Sequence, residues 1–163
     1  MTALNDRSEA VRRRLLRPWN FRVYLWANLP LAACAGLSLR RLDAEACTVA
    51  LPGGWRTQNP FRSMYFAAQA MAAEMSTGAP AMMLAEGAPA SVSMLVREVR
   101  GVFTRRIVGE AEFTFEDLAG MRAAVERAAA SGESETFVGR SVGRTRDGSP
   151  ASEFEITWSF KRR

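Results

Sequence analysis

Hydrophobic residues recur at every second position in several short segments of this chain, which is the spacing of half-buried β-strands. In the last of these segments Phe154, Ile156, Trp158 and Phe160 alternate with polar residues. In the segment over residues 92–103 the alternation changes phase once, near residue 97, which indicates a β-bulge. We predict strands over residues 36–42, 47–51, 92–103, 107–115, 136–145 and 154–160.

Other segments place their apolar residues at helical spacing. One long helix stands apart, because from about residue 61 to residue 76 it is apolar on every side except for Gln69 and Glu74. A helix without a polar face is a buried helix, and we expect Gly78 and Pro80 to end it. We also predict an amphipathic helix over residues 6–16, helical turns over 20–27 and 31–34, and a surface helix over 116–130.

The order of these elements indicates the fold class. Helices come first, then two strands, the long buried helix, and about four strands with one inserted helix. Runs of strands around one helix indicate an α+β fold with an antiparallel sheet. A sheet curled around the apolar helix explains why that helix needs no polar face. We divide the chain into an N-terminal helical extension, residues 1–35, and one main domain, residues 36–163.

Composition narrows the chemistry of such a domain. The 163 residues are 48% hydrophobic, which is enough for one core. The net charge is +5 and is carried almost entirely by arginine, which suits a phosphorylated ligand such as a nucleotide or coenzyme A. Nucleic-acid binding and simple solubility are the alternatives. Because the chain has no histidine, catalysis by histidine and histidine–metal sites are excluded.

The cysteines and the apolar segment 23–39 indicate the compartment. Cys34 and Cys47 stand in apolar contexts without the spacing of a metal site, so we predict two small buried residues in a reducing compartment, and no metal. Asn28 and Pro30 interrupt the apolar segment, which favours a buried helical segment over a membrane span. We expect a cytoplasmic protein, with peripheral membrane contact as the alternative.

Glu74 is the main candidate for chemistry. A carboxylate on an apolar helix must be paired, neutralised or used. Burial raises the pKa of a carboxyl group toward working pH, which suits a general base. The alternative is that Glu74 faces an arginine or the solvent near the end of the helix.

The residues before and along the buried helix carry a resemblance to a known family. The hairpin over residues 36–52, Arg56, Asn59 and Glu74 make residues 36–163 similar to the hotdog-fold thioesterase superfamily, and most similar to a branch related to phenylacetyl-CoA-type thioesterases. Typical members place a His-Gly-Gly element six residues after the asparagine, and an acid nine residues further on. Here Tyr65-Phe66-Ala67 stands in place of His-Gly-Gly.

The resemblance implies a hotdog fold, in which a curved antiparallel sheet wraps around a long central helix. It also implies an acyl-CoA thioesterase, with Glu74 as base or nucleophile and coenzyme A present only as part of the substrate. The helix start would supply backbone N–H groups to the thioester carbonyl. The implied catalytic residues are Glu74, Asn59 and Gln69, and the implied substrate-binding residues are Tyr65, Phe66, Ala67, Met71, Arg97 and Arg105.

Each of these residues also has a structural interpretation. Asn59 is a common turn or cap residue, Gln69 could bond to the backbone, and Tyr65 and Met71 could be packing residues. The arginines, Arg97 and Arg105 among them, could form a solvated strand face. At the level of function, the alternative is a non-catalytic domain that binds acyl or lipid-like ligands. A nucleic-acid-binding module is disfavoured, because the strands do not interleave aromatic and basic residues.

The resemblance further implies self-association. Related proteins build their active site between two subunits, and joining two sheets edge to edge removes an exposed edge strand. We therefore expect a homodimer, with a tetramer left open. The absence of histidine argues against the hydratase branch of the superfamily, whose members use a catalytic histidine.

Overall fold

The computed structural model describes residues 4–163 and confirms the α+β class. Residues 1–3 of the predicted extension lie outside the described residues. In residues 4–163 the helices are α1 (Asp6–Leu16), α2 (Pro18–Asn28), α3 (Pro30–Ala35), α4 (Phe66–Gly87) and α5 (Leu118–Ser131).

The strands form the other half of the fold. They are β1 (Ser38–Leu42), β2 (Cys47–Leu51), β3 (Val92–Phe103), β4 (Ala111–Phe115), β5 (Glu135–Thr145) and β6 (Pro150–Arg162). They make one antiparallel sheet in the order β1-β2-β4-β5-β6-β3. The predicted bulge is confirmed and falls between Val96 and Glu98. The predicted hairpin turn at Asp147 and Gly148 is confirmed as well.

The central helix α4 is the core element that the sequence predicts. It packs against β2, β3, β4, β5 and β6, and also against α1, α3 and α5. Ala72, Ala73, Ser76, Thr77 and Ala81 on this helix have no exposed surface. Neighbours around most of its circumference explain why α4 has no polar face.

The predicted start of the central helix, near residue 61, is wrong, because α4 begins at Phe66. Asn59 holds residues 59–63, which precede α4, in a turn. Its Oδ1 accepts hydrogen bonds from the backbone N–H of Phe61 at 3.0 Å and of Ser63 at 3.2 Å. An asparagine side chain that binds the backbone two residues on competes with helix formation.

The predicted end of the same helix is also wrong, because α4 continues through Gly78 and Pro80 to Gly87. Proline removes one helical hydrogen bond and normally kinks or ends a helix. Here Pro80 is buried, and so are Met83 and Leu84 in the turn that follows. Burial of this last part of α4 therefore outweighs the two helix breakers.

Several other boundaries also differ from the prediction, and the last strand begins four residues earlier than predicted, at Pro150. The strand expected over residues 107–115 begins only at Ala111, because Gly109 has a φ of +86° and the Ile107 carbonyl accepts a hydrogen bond from Met64 N–H at 2.8 Å. The helix expected from residue 116 begins at Leu118, because the Asp117 carboxylate caps it.

The helices α1 to α3 fill most of the predicted extension and pack on the rest of the fold. Asn5 donates from Nδ2 to the Gly87 carbonyl at 2.9 Å, and Ser8 donates from Oγ to the Met83 carbonyl at 3.3 Å. Gly87 permits this close approach, since a Cβ there would lie 2.0 Å from Ser8 Oγ. The division of the chain at residue 35 stays a prediction.

The sheet ends in β1 on one side and in β3 on the other. α1 and α2 contact β1, whereas β3 pairs only with β6 and has no second strand among residues 4–163. Leu95 on β3 is 66% exposed, and Val99, Val102 and Phe103 are also exposed. A long strand with an open edge and exposed apolar side chains is a template for strand pairing.

Candidate functional site

Glu74 lies on α4, half-buried, three residues after Met71. Burial raises the pKa of its carboxyl group. Its carboxylate makes no hydrogen bond or ion pair with any of residues 4–163. A Cβ on Gly78 would lie 3.0 Å from Glu74 Oε1, so the carboxylate extends over the glycine one turn further along the helix. A desolvated carboxylate without a partner has the character of a general base.

Two buried hydrogen bonds set the rotation of α4 on the sheet. Thr77 Oγ1 accepts a hydrogen bond from Trp158 Nε1 at 2.9 Å and donates to the carbonyl of Glu74 at 2.9 Å. Ser76 Oγ lies 2.7 Å from Ser141 Oγ on β5. Because these residues sit two and three positions after Glu74, the contacts also determine the direction in which Glu74 points.

The start of α4 carries free backbone donors. Its N-cap residue, Tyr65, makes no side-chain cap hydrogen bond, and the loop before it is held by a bond from Tyr65 N–H to the Thr57 carbonyl at 2.7 Å. The Tyr65 and Phe66 rings stack edge to face at 4.8 Å. The first N–H groups of a helix and its positive dipole end favour an anion or a carbonyl oxygen.

On one side of this helix start lies a cleft of about 580 Å³, which we call the arginine cleft. Gln69 lines it and is 95% buried; its Nε2 donates to the Met64 carbonyl at 3.1 Å, and its Oε1 has no partner among residues 4–163. An unpaired buried carbonyl is unusual. The cleft is lined by Asn59, Tyr65, Phe66, Gln69, Arg105 and Arg106, with other residues of the same loops.

On the other side lies an apolar cleft of about 500 Å³, which we call the tryptophan cleft. Tyr65 lines both clefts and separates them. The walls come from three parts of the chain: the extension, the turn after β2, and α4. The lining includes Trp26, Leu31, Trp55, Arg56, Ala67 and Met71. Ala67, Met71 and Glu74 follow one another at helical spacing, so Glu74 lies just beyond the cleft on the same face of α4.

The structure thus places the predicted site residues in one cleft, in the other, in both or in neither. Asn59, Gln69, Phe66 and Arg105 line the arginine cleft, Ala67 and Met71 line the tryptophan cleft, and Tyr65 lines both. Glu74 lines neither cleft but shares a helix face with the second. Arg97 is exposed on β3 and lines neither cleft. Asn59 Oδ1 is occupied by the turn that it organises.

Sequence reasoning missed the residues that the extension contributes. Trp26 and Leu31 are exposed in α2 and α3, and Trp55 is 83% exposed in the turn after β2. The stripe of Trp19, Val23 and Trp26 along α2 was an available signal, because these residues share one helix face that the core does not cover. The prediction that both cysteines are buried is wrong for Cys34, which is exposed, and holds for Cys47.

Residues 4–163 contain no group of three or more side chains that could hold a metal ion. They also contain no helix with the length and apolar character required to cross a membrane.

Comparisons with known proteins place the chain in a family. The family model described as a domain of unknown function, DUF4442, matches residues 17–159. No curated protein sequence matches the chain. A protein of unknown function from Chlorobaculum tepidum has a similar structure, with a TM-score of 0.75 at 12% identity, and the match covers 91% of this chain and 98% of that one.

Several of the similar structures carry thioesterase names. A probable thioesterase from Pseudomonas aeruginosa has a TM-score of 0.71 at 17% identity, covering 92% of this chain and 99% of its own. A thioesterase from Haemophilus influenzae has a TM-score of 0.66 at 12% identity, covering 88% and 90%. The fold is therefore the hotdog fold that the sequence resemblance implied. Because the family model matches residues 17–159, the chain belongs to the DUF4442 family.

Proposed function

We propose that this protein is an acyl-CoA thioesterase that uses the Glu74 carboxylate as its base or nucleophile. The observation that carries the proposal is Glu74 itself: a desolvated carboxylate, with no hydrogen-bond or ion-pair partner among residues 4–163, on the face of α4 that also lines an apolar cleft. Thioesterase names among the similar structures support the reaction class. The two cysteines, which form no disulfide, support a cytoplasmic location.

The reaction assigned to Glu74 as base balances without a cofactor. The carboxylate takes a proton from a water molecule, and the water oxygen forms a bond to the thioester carbon. The carbonyl oxygen becomes an oxyanion, which backbone N–H groups at a helix start stabilise. The carbon–sulfur bond then breaks, and the sulfur receives the proton from Glu74. The products are a carboxylic acid and the free thiol of coenzyme A.

The two clefts suggest how the substrate lies. Arginine at the rim of the arginine cleft suits the phosphates of coenzyme A. The tryptophan cleft suits the acyl group. Arg97 remains a candidate for the phosphates from its exposed place on β3.

The geometry of α4 supports a site built from two subunits. Glu74 lies eight positions after Phe66, which is about 12 Å along a helix axis. One thioester carbonyl therefore cannot contact both the helix-start amides and the carboxylate of the same helix. We propose a homodimer in which Glu74 of one subunit acts with the start of α4 in the other. The open edge of β3 supports such pairing.

The alternative function is a non-catalytic domain that binds acyl or lipid-like ligands. The observation that favours it is the stacked pair of Tyr65 and Phe66 at the helix start, where the thioesterase pattern has a histidine followed by a glycine. These rings can restrict access to the backbone donors while leaving the tryptophan cleft open. In that case the protein would keep its ligand and lack turnover.

Hydrolysis of a panel of acyl-CoA substrates by the wild type and by Glu74→Gln separates the two functions. The thioesterase proposal expects release of free thiol by the wild type and a loss of at least about 100-fold in the variant. If neither protein releases thiol while a fatty acid still raises the melting temperature of both, the carrier function holds instead. Equal activity in the two proteins would contradict the role of Glu74.

A further inference from the structure

Tyr24, on α2 of the extension, has only a weak hydrogen-bond partner. Its hydroxyl lies 3.5 Å from Met82 Sδ on α4, and no other hydrogen bond joins it to residues 4–163. A thioether sulfur is a weak acceptor. The Tyr24 ring is held by stacking on Phe21 at 6.5 Å, so the hydroxyl stays close to α4.

Glu74 and the partner of Tyr24 lie on one stripe of α4. Glu74, Gly78 and Met82 are spaced by four residues, so they follow one another along the same helix face. Gly78 has no side chain to separate the other two, and Glu74 Oε1 extends over it. The carboxylate therefore points toward the turn of α4 that Tyr24 contacts. Burial raises the pKa of Tyr24, and the charge of Glu74 raises it further.

We propose that Tyr24 is a positioning residue for Glu74, and that its hydroxyl turns from the Met82 sulfur to the Glu74 carboxylate when that carboxylate is ionised. The inference rests on the proposed function, in which Glu74 is the reacting group. The phenol keeps its proton throughout and only donates a hydrogen bond. The extension thereby becomes part of the site.

A hydrogen bond to the ionised carboxylate favours that form. Tyr24 thus lowers the pH at which Glu74 becomes available as a base, and it fixes the direction of the carboxylate. The other charged groups that act on Tyr24 are Glu86 of α4 and Arg14 of α1. These two pair with each other at 3.3 Å and act on its pKa in opposite directions. Neither contacts Glu74.

The test measures thioester hydrolysis against pH for the wild type, Tyr24→Phe and Met82→Leu. We expect Tyr24→Phe to move the acidic limb of kcat/KM to higher pH by about one unit, which is about a tenfold loss on that limb. Met82→Leu removes the sulfur and keeps the phenol, so its limb stays at the wild-type pH or moves lower. An unmoved limb in Tyr24→Phe, or an equal upward move in both variants, overturns the inference.

A second readout does not depend on activity. With glutamate labelled by ¹³C at the carboxyl carbon, the Glu74 signal is the one that disappears in Glu74→Gln, and its chemical shift reports its titration. We expect it to titrate at higher pH in Tyr24→Phe than in the wild type, and an unchanged midpoint overturns the inference. If Glu74→Gln hydrolyses thioesters as fast as the wild type, the proposed function fails, and the titration still decides the role of Tyr24.

Discussion

Replacement of Thr77 by valine tests the contact that sets the rotation of α4. The threonine hydroxyl has no exposed surface and accepts the indole N–H of Trp158 at 2.9 Å. Valine has nearly the same shape, and both side chains are β-branched, so packing and helix propensity change little. The substitution therefore isolates the hydrogen bond.

The expected magnitude follows from the two roles of the hydroxyl. As acceptor, its loss leaves the Trp158 N–H without a partner at a residue that is 97% buried, which costs about 1–3 kcal/mol. As donor, the hydroxyl adds a second hydrogen bond to the carbonyl of Glu74. That carbonyl lies inside α4 and retains its helical partner, so the loss of this second bond leaves no unpaired group. We therefore expect a loss of about 1–3 kcal/mol in the free energy of unfolding, and about 2–4 °C in Tm for each kcal/mol.

Urea unfolding followed by circular dichroism measures this loss, at one fixed protein concentration because self-association affects stability. Thr48→Val is the matched control. Its hydroxyl lies 3.0 Å from Thr114 Oγ1, and Thr114 is only half-buried, so the freed hydroxyl can reach water. We expect the control to lose less than about 0.5 kcal/mol. A Thr77→Val protein as stable as the control would refute the assigned role of the Thr77–Trp158 bond.

Three further predictions concern α4. Gly78→Ala adds up to about 1 kcal/mol of helix propensity, but its methyl group lies 3.0 Å from Glu74 Oε1 and 3.4 Å from the Trp158 ring. Because the gain and the crowding offset each other while the carboxylate is displaced, we expect a nearly unchanged Tm and slower hydrolysis. Hydrolysis at the wild-type rate would contradict this. Because burial raises the folded-state pKa of Glu74, the wild type loses stability as pH rises through the interval above the ordinary value of 4.5. Glu74→Gln should therefore unfold at higher urea than the wild type at pH 8 and at the same urea at pH 4, and an equal difference at both pH values would argue against burial as the cause. Gly87→Ala should lose about 1–3 kcal/mol of free energy of unfolding, because its Cβ would lie 2.0 Å from Ser8 Oγ. In the double variant, Ser8→Ala should restore part of that loss. Wild-type stability of Gly87→Ala would contradict the close packing of α1 on α4.

The apolar patterns in the sequence predicted the strands and the buried helix, because the side of an element that is buried determines the spacing of its apolar residues. Local sequence signals for helix starts and stops did not predict the ends of α4. Gly78 and Pro80 normally end helices, and only the buried turn after them explains why α4 continues. The alternative interpretation of Asn59, as a turn residue, describes its observed hydrogen bonds.

The candidate site was predictable where it lies within one segment of the chain. Glu74 stood out because a carboxylate is unusual on an apolar helix. The tryptophan cleft did not, because Trp26 and Trp55 are distant in sequence and only the packing of α2 and the turn after β2 brings them together. The unpaired Gln69 Oε1 was likewise invisible in the sequence, since it depends on which partners the fold supplies.

In the dimer that we propose, Glu74 of one subunit and the start of α4 in the other act on one thioester. Phe66→Pro can remove one helix-start N–H without disturbing the helix, because proline is tolerated at the first helical position and Tyr65 already has the extended backbone that precedes proline. Phe66→Ala, which keeps the N–H, is its control. Both Phe66→Pro and Glu74→Gln homodimers are expected to be inactive, and Phe66→Ala active.

The most direct measurement is the hydrolysis rate of a mixed dimer, isolated from co-expression of Glu74→Gln and Phe66→Pro subunits with different affinity tags. In that dimer one site pairs an intact carboxylate with an intact helix start, and the other site has neither. A site shared between subunits predicts about half the rate of the wild-type dimer. A mixed dimer as inactive as both parents would show that the carboxylate and the helix start belong to the same subunit's site, which contradicts the proposed shared site.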